Sequence, residues 1–294
     1  MNPVGLTRAA QILNTARAGG YAIPAFNAVN LETAQAIVRA AELEHAPVIL
    51  QISQNAARYA GLELMAAIAC ELRQTASVPV IVHFDHAETV QSARAAIEHG
   101  FDMVMLEGDD TAVLRALADF AHAQGAAIEA EYEVVSKGER SETQAELDGL
   151  EEFVRTSNCD ALAVAIGSAH KQTDKTSALD FTKLERLANL TELPLVLHGA
   201  SGVLETDLQC AVTLGIAKVN VATELALVFT NAVREQLENP KLNDPRQYLG
   251  AARDAMTERA RAVIRLLGAN GKADTHEADT HEADTHDARE TVGA

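Results

Sequence analysis

Eight short apolar runs recur through residues 22–223 of the 294-residue chain, at intervals of roughly 25–35 residues, with helical stretches between them. The runs are AIPAFN (22–27), PVILQIS (47–53), PVIVHFD (79–85), MVMLEG (103–108), AIEAEYE (127–133), ALAVAIG (161–167), LPLVLHG (193–199) and AKVNVAT (217–223). Most show little polar alternation, as expected of parallel strands covered on both faces. Segments such as LETAQAIVRAAELEH and TVQSARAAIEHG repeat apolar residues at helical spacing, and Gly or Pro marks several returns to the next run. Eight such units predict an α/β fold of the (β/α)8, or TIM, barrel type. A doubly wound sheet also alternates, but even spacing over eight units fits closure better. Residues 3–18 predict an extra N-terminal helix below the barrel. Residues 225–268 predict the eighth helix and a C-terminal helical extension, broken at ENPKLNDP.

One domain is expected over 1–271. Beyond it, 272–294 contain the polar repeat ADTHE, ADTHE, ADTHD (273–287), which cannot bury a core and predicts a disordered tail. The net charge is −18, and the seven acidic and two basic residues after Gly271 leave the body at −13. A body that acidic argues against nucleic acid or an anionic membrane as partner. No apolar stretch is long enough to cross a bilayer, and no basic-then-apolar leader is visible. Cys70, Cys159 and Cys210 are isolated, which predicts reduced thiols in a cytoplasmic protein rather than a disulfide framework.

Active sites of this fold lie at the carboxyl ends of the strands. His86, His170 and His198 stand at or just beyond three such ends, in PVIVHFDH, ALAVAIGSAH and LPLVLHG. Three imidazoles on one rim predict a metal site with a coordination position left open, which marks a catalytic rather than a structural ion. Asp85 adjoins His86, and Glu129, Glu131 and Glu133 lie on the fifth run. His83, two residues before Asp85, is expected in the core or in support of the site. Gly199, Ala200, Ser201 and Gly202, with Asn220 to Thr223 on the last run, occupy the usual phosphate-binding corner.

The stretches GGYAIPAFNAVNLETAQAIVRAAE, PVILQISQNAARYAG, PVIVHFDHAET, AIEAEYE, DALAVAIGSAHKQ, LPLVLHGASGV and LGIAKVNVATEL appear in this order. Together they resemble the class II, metal-dependent ketose-bisphosphate aldolases, in the branch of tagatose- and fructose-bisphosphate aldolases. The resemblance implies zinc held by His86, His170 and His198, with Glu131 as an alternative ligand or supporting partner. It implies Asp85 as the acid–base at the substrate C4 oxygen, and Glu139 moving the proton on carbon three of dihydroxyacetone phosphate. Gly199, Ala200, Ser201, Asn220, Val221, Ala222 and Thr223 would hold one phosphate and Ser53 the other. A phosphorylated sugar is then the partner, and a homodimer or homotetramer the expected assembly.

Departures cluster around the substrate. Lys171 replaces the family's glycine directly after His170; its ammonium can stand in for a monovalent cation or obstruct the site. Glu133 and Ser136-Lys137 replace glycines, Leu106-Glu107-Gly108-Asp109 replaces I-D-G-S, and the loop near 140–150 reads as short. The alternatives are a class II aldolase-like enzyme with another phosphorylated substrate, a metal-dependent hydrolase on the same barrel, and a non-catalytic aldolase-like subunit. The hydrolase usually needs an H-x-H pair on the first strand, which AIPAFNAVN lacks.

Overall fold

The computed structural model describes residues 5–132, 144–168 and 177–276. Helix α1 (Arg8–Ala18) precedes a repeating series: β1 (Ile23–Asn27) and α2 (Leu31–Leu43), β2 (Val48–Ser53) with α3 (Gln54–Ala60) and α4 (Leu62–Thr75), β3 (Val80–Ala87) and α5 (Val90–Glu98), then β4 (Met103–Leu106) and α6 (Thr111–His122). The second half runs β5 (Ala127–Tyr132), α7 (Gln144–Ser157), β6 (Ala161–Val164), α8 (Phe181–Leu190), β7 (Leu195–Leu197), α9 (Glu205–Thr213) and β8 (Ile216–Val221). Helices α10 (Thr223–Leu237) and α11 (Pro245–Leu266) complete it.

The strands pair in parallel in chain order, and β8 closes on β1 with Ala25 opposite Asn220. This is the (β/α)8 barrel expected from the spacing of the apolar runs. Burial is nearly continuous along each strand, because one face fills the barrel and the other lies under helices. Phe84 faces outward onto Phe101, edge to face at 5.5 Å. Register carries polar residues inward: Asn27 lies opposite Gln51, and Gln51 opposite His83.

Capping residues fix where the helices leave the strand ends. Asn30 and Thr33 form a reciprocal capping box on α2, Thr89 and Ser92 another on α5, and Asp110 and Asp180 cap α6 and α8. Below the barrel, the Arg17 guanidinium on α1 donates to the carbonyls of Ala188, Thr191 and Leu193, tying the extra helix in place.

Some boundaries differ from the sequence reading. The sixth and seventh strands end at Val164 and Leu197, earlier than their apolar runs, and Thr223 opens α10. Helix α7 starts at Gln144, so much of the segment read as a loop near 140–150 is helical. Packing continues past Gly271: Ala273–His276 form a short 3-10 helix, Ala273 is buried, and its N–H donates to the His45 carbonyl at 3.0 Å. The end of α2 offers unpaired carbonyls there, and an alanine can cover them. The rest of the repeat lies outside the described residues. Among those described, no helix is long and apolar enough to cross a membrane.

Candidate active site

In a regular strand, neighbouring side chains face opposite sides, so Asp85 and His86 would not both reach the barrel mouth. The pairing of β3 with β4 slips between Phe84 and Ala87, and His86 adopts a left-handed φ of +54°. That bulge turns His86 back, and both residues line one cavity of about 410 Å³ at the carboxyl ends of the strands. A φ of this sign costs a residue with a Cβ about 1–3 kcal/mol and persists where its surroundings enforce it, often at functional sites.

Asn27 and Gln51 form the cavity floor, and Ser53, Gln54 and Asn55 one wall. Opposite them stand Gly199 and Ser201 after β7, then Asn220, Ala222 and Thr223 at the β8–α10 junction. Glu88 and Glu107 edge the mouth. The volume suits a small polar molecule.

His198 sits one residue beyond β7, only 6% exposed, and its ring centroid is 5.2 Å from that of His86. Nε2 of His86 lies 3.8 Å from Asp85 Oδ1, and Nδ1 lies 3.3 Å from Glu107 Oε1. Asp85 is 5% exposed, and among the described residues its Oδ1 has no hydrogen-bond partner. Two imidazoles side by side with a carboxylate whose oxygen is unsatisfied fit a nitrogen-bound divalent ion beside a proton acceptor. The third expected ligand, His170, lies outside the described residues, and among those described no three His, Cys, Asp or Glu side chains are arranged to hold a metal. Glu131, half-buried, follows Glu129 by two on β5 and so shares its strand face, one step nearer the mouth.

Under the cavity lies a polar layer. Glu129 Oε1 accepts a hydrogen bond from His198 Nε2 at 2.8 Å, and Oε2 pairs with Lys218 Nζ at 2.8 Å. His83 Nε2 is 3.8 Å from the same carboxylate, and its Nδ1 meets Gln51 Oε1 at 2.9 Å; Gln51 Nε2 in turn donates to Asn27 Oδ1 at 3.2 Å. Burial resists ionisation of Glu129, yet Lys218 and the His198 hydrogen bond outweigh it and hold the carboxyl well below its usual range. Burial first, and Lys218 second, push His83 down to about 3, so its ring is neutral at ordinary pH. His83 is thus fully buried beneath the cavity, where the sequence reading expected it either in the core or in support of the site.

Lys218 and Gln51 are additions that the sequence reading did not single out, and Glu129, named there on the fifth run, had no role assigned. A lysine inside the apolar run AKVNVAT was their signal, since a buried ammonium requires a buried anion. Of the other expected residues, Ser53 lines the cavity and also caps α3, its hydroxyl accepting from Ala56 N–H. Ala200 and Val221 are buried and do not line the cavity, whereas their neighbours Gly199, Ser201, Asn220 and Ala222 do. Gly199 has a φ of +65°, a value a β-carbon would strain. Glu139, Lys171, Glu133 and Ser136-Lys137 lie outside the described residues.

Residues 7–272 match the sequence profile of the family described as "Fructose-bisphosphate aldolase class-II". The chain is 37% identical over 280 residues to the fructose-bisphosphate aldolase of Geobacillus stearothermophilus, covering 90% of this chain and 97% of that one. Among solved structures it is similar to the YdjI aldolase of Escherichia coli K12, with a TM-score of 0.79 and 32% identity, covering 90% and 98% of the two chains.

Proposed function

Since the chain belongs to the class II fructose-bisphosphate aldolase family and is a carbon–carbon lyase, we propose that it cleaves and forms a ketose 1,6-bisphosphate of the fructose or tagatose type. The ketone product, carbons one to three, is dihydroxyacetone phosphate, released by way of its enediolate, and carbons four to six leave as the aldehyde phosphate. The observation that carries this reading is the bulge in β3, which brings Asp85 and His86 into one cavity next to His198.

His86 and His198, with His170, would hold a zinc ion, and Glu131 would be its alternative ligand. When bound, the ion supplies Lewis acidity that stabilises charge developing on the substrate carbonyl oxygen. Asp85 does the proton chemistry at C4. In cleavage its Oδ1 takes the hydroxyl proton; the O–H electron pair becomes the second bond of the aldehyde carbonyl, and the C3–C4 pair stays with C3. In condensation the same oxygen returns the proton. Glu139 is assigned the proton at C3. Backbone and side-chain donors around Gly199, Ser201 and Asn220 to Thr223 bind one phosphate, and Ser53 the other.

A second reading, a different phosphorylated ketose, draws support from Glu107, which stands at the cavity edge within 3.3 Å of His86 where the family has aspartate. The test is a panel of phosphorylated ketoses with metal analysis of the purified protein. The proposal expects about one zinc per chain, turnover of fructose or tagatose 1,6-bisphosphate, and loss of turnover in chelator. Zinc without cleavage of either sugar favours the second reading, and absence of stoichiometric metal overturns both. Purification as a homodimer or homotetramer in a cytoplasmic setting is part of the same proposal.

A further inference from the structure

The barrel interior holds a charge pair that stability alone does not call for. Lys218 in the middle of β8 and Glu129 in β5 are both fully buried, and they meet across the inside of the barrel, since β6 and β7 separate their strands in the sheet. Desolvating two charges offsets much of their attraction, and packed apolar side chains of similar volume serve a core equally well or better. The neighbours of the pair show what it accomplishes. Glu129 uses its other oxygen to hold Nε2 of His198 at 2.8 Å, and Lys218 Nζ, besides its ion pair, donates a hydrogen bond to Asn220 Oδ1 at 2.8 Å. His198 stands beside His86, and Asn220 lines the cavity.

We infer that Lys218 is a positioning residue that sets the orientation of two side chains of the site: His198 through Glu129, and Asn220 directly. The inference rests on reading His198 as a metal-binding residue. An ionised carboxylate only accepts hydrogen bonds, so Nε2 of His198 carries the hydrogen and Nδ1 of the neutral ring keeps the lone pair that a metal requires. An ammonium only donates, so the Asn220 amide turns its oxygen to Lys218 and keeps its NH2 group for the cavity. One buried cation therefore selects one tautomer and one amide orientation.

The test compares wild-type protein with Lys218→Met and with the double variant Glu129→Leu/Lys218→Met. The single variant strands a buried carboxylate and can fail to fold, whereas the double variant removes both charges and roughly conserves volume. For the double variant we expect a Tm at or above wild type, together with zinc affinity lowered about 10- to 100-fold in chelator competition. Nitrogen NMR of metal-free wild-type protein should show the Nε2–H tautomer of His198, and the double variant a mixture. An Nδ1–H tautomer in wild type, or a folded double variant with wild-type zinc affinity and an unchanged tautomer, would overturn the inference. Wild-type protein that takes up no zinc would instead overturn the metal reading beneath it.

Discussion

Asp85 and His86 are adjacent in sequence and reach the same cavity only because β3 is irregular between Phe84 and Ala87. The aspartate supplies a buried oxygen with no hydrogen-bond partner among the described residues, and the proposed mechanism gives that oxygen the C4 hydroxyl proton. Asp85→Asn keeps the shape and removes that basicity, so kcat should fall about a thousandfold with zinc content unchanged. Near-normal turnover would remove Asp85 from the acid–base role. At this scale the sequence was partly legible. The pair Asp85-His86 and the isolated His198 could be read from their places at strand ends, since the fold's chemistry gathers there. The bulge could not, because alternation alone would set the two side chains on opposite faces. Lys218 looked like an ordinary strand residue, and Glu129, named on the fifth run, had no visible partner until their strands met across the barrel.

Elements were legible where apolar content and hydrogen-bonded pairing coincide, as along β2 and β3. They diverge at β6, where Ile166 remains buried after the ladder ends at Val164; burial makes a residue apolar, but only pairing makes it strand. Gly167, at the turn that follows, has a φ of +101°, and a Cβ there would sit 2.5 Å from the Ala178 carbonyl oxygen. Gly167→Ala is expected to cost about 2–3 kcal/mol, read as a lower urea midpoint. An unchanged midpoint would show that the turn can relax. Elsewhere, His122 at the end of α6 lies 2.8 Å from Asp160, which also accepts from Ile128 N–H at the start of β5. The Asp160 hydrogen bond raises the His122 pKa above its ordinary 6.5, against the opposing effect of burial. Stability from this pair is therefore complete below about pH 6.5 and lost as pH rises through the higher folded value. Urea midpoints of wild type and His122→Gln should differ most at low pH and converge on the alkaline side. A difference independent of pH would contradict the assignment.

At the scale of the molecule, eight evenly spaced apolar runs sufficed to identify a closed barrel, because each strand–helix unit needs its neighbours to bury both strand faces. The boundary of the body was less legible: the first ADTH repeat docks on the end of α2 through Ala273, although the repeat as a whole is polar. Truncation after His276 should leave the Tm unchanged, and truncation after Gly268 should lower it; equal values for all three proteins would show that the docked repeat adds nothing. The proposed metal centre likewise depends on the whole barrel, since His86 and His198 come from separate strand ends that only closure brings together. Zinc K-edge X-ray absorption on the purified protein tests it most directly. The expected spectrum is that of a four- or five-coordinate zinc with three imidazole nitrogens at about 2.0–2.1 Å and no sulfur ligand, a pattern lost in His86→Ala and in His198→Ala. A zinc spectrum with sulfur scattering, or one that both substitutions leave unaltered, would contradict it.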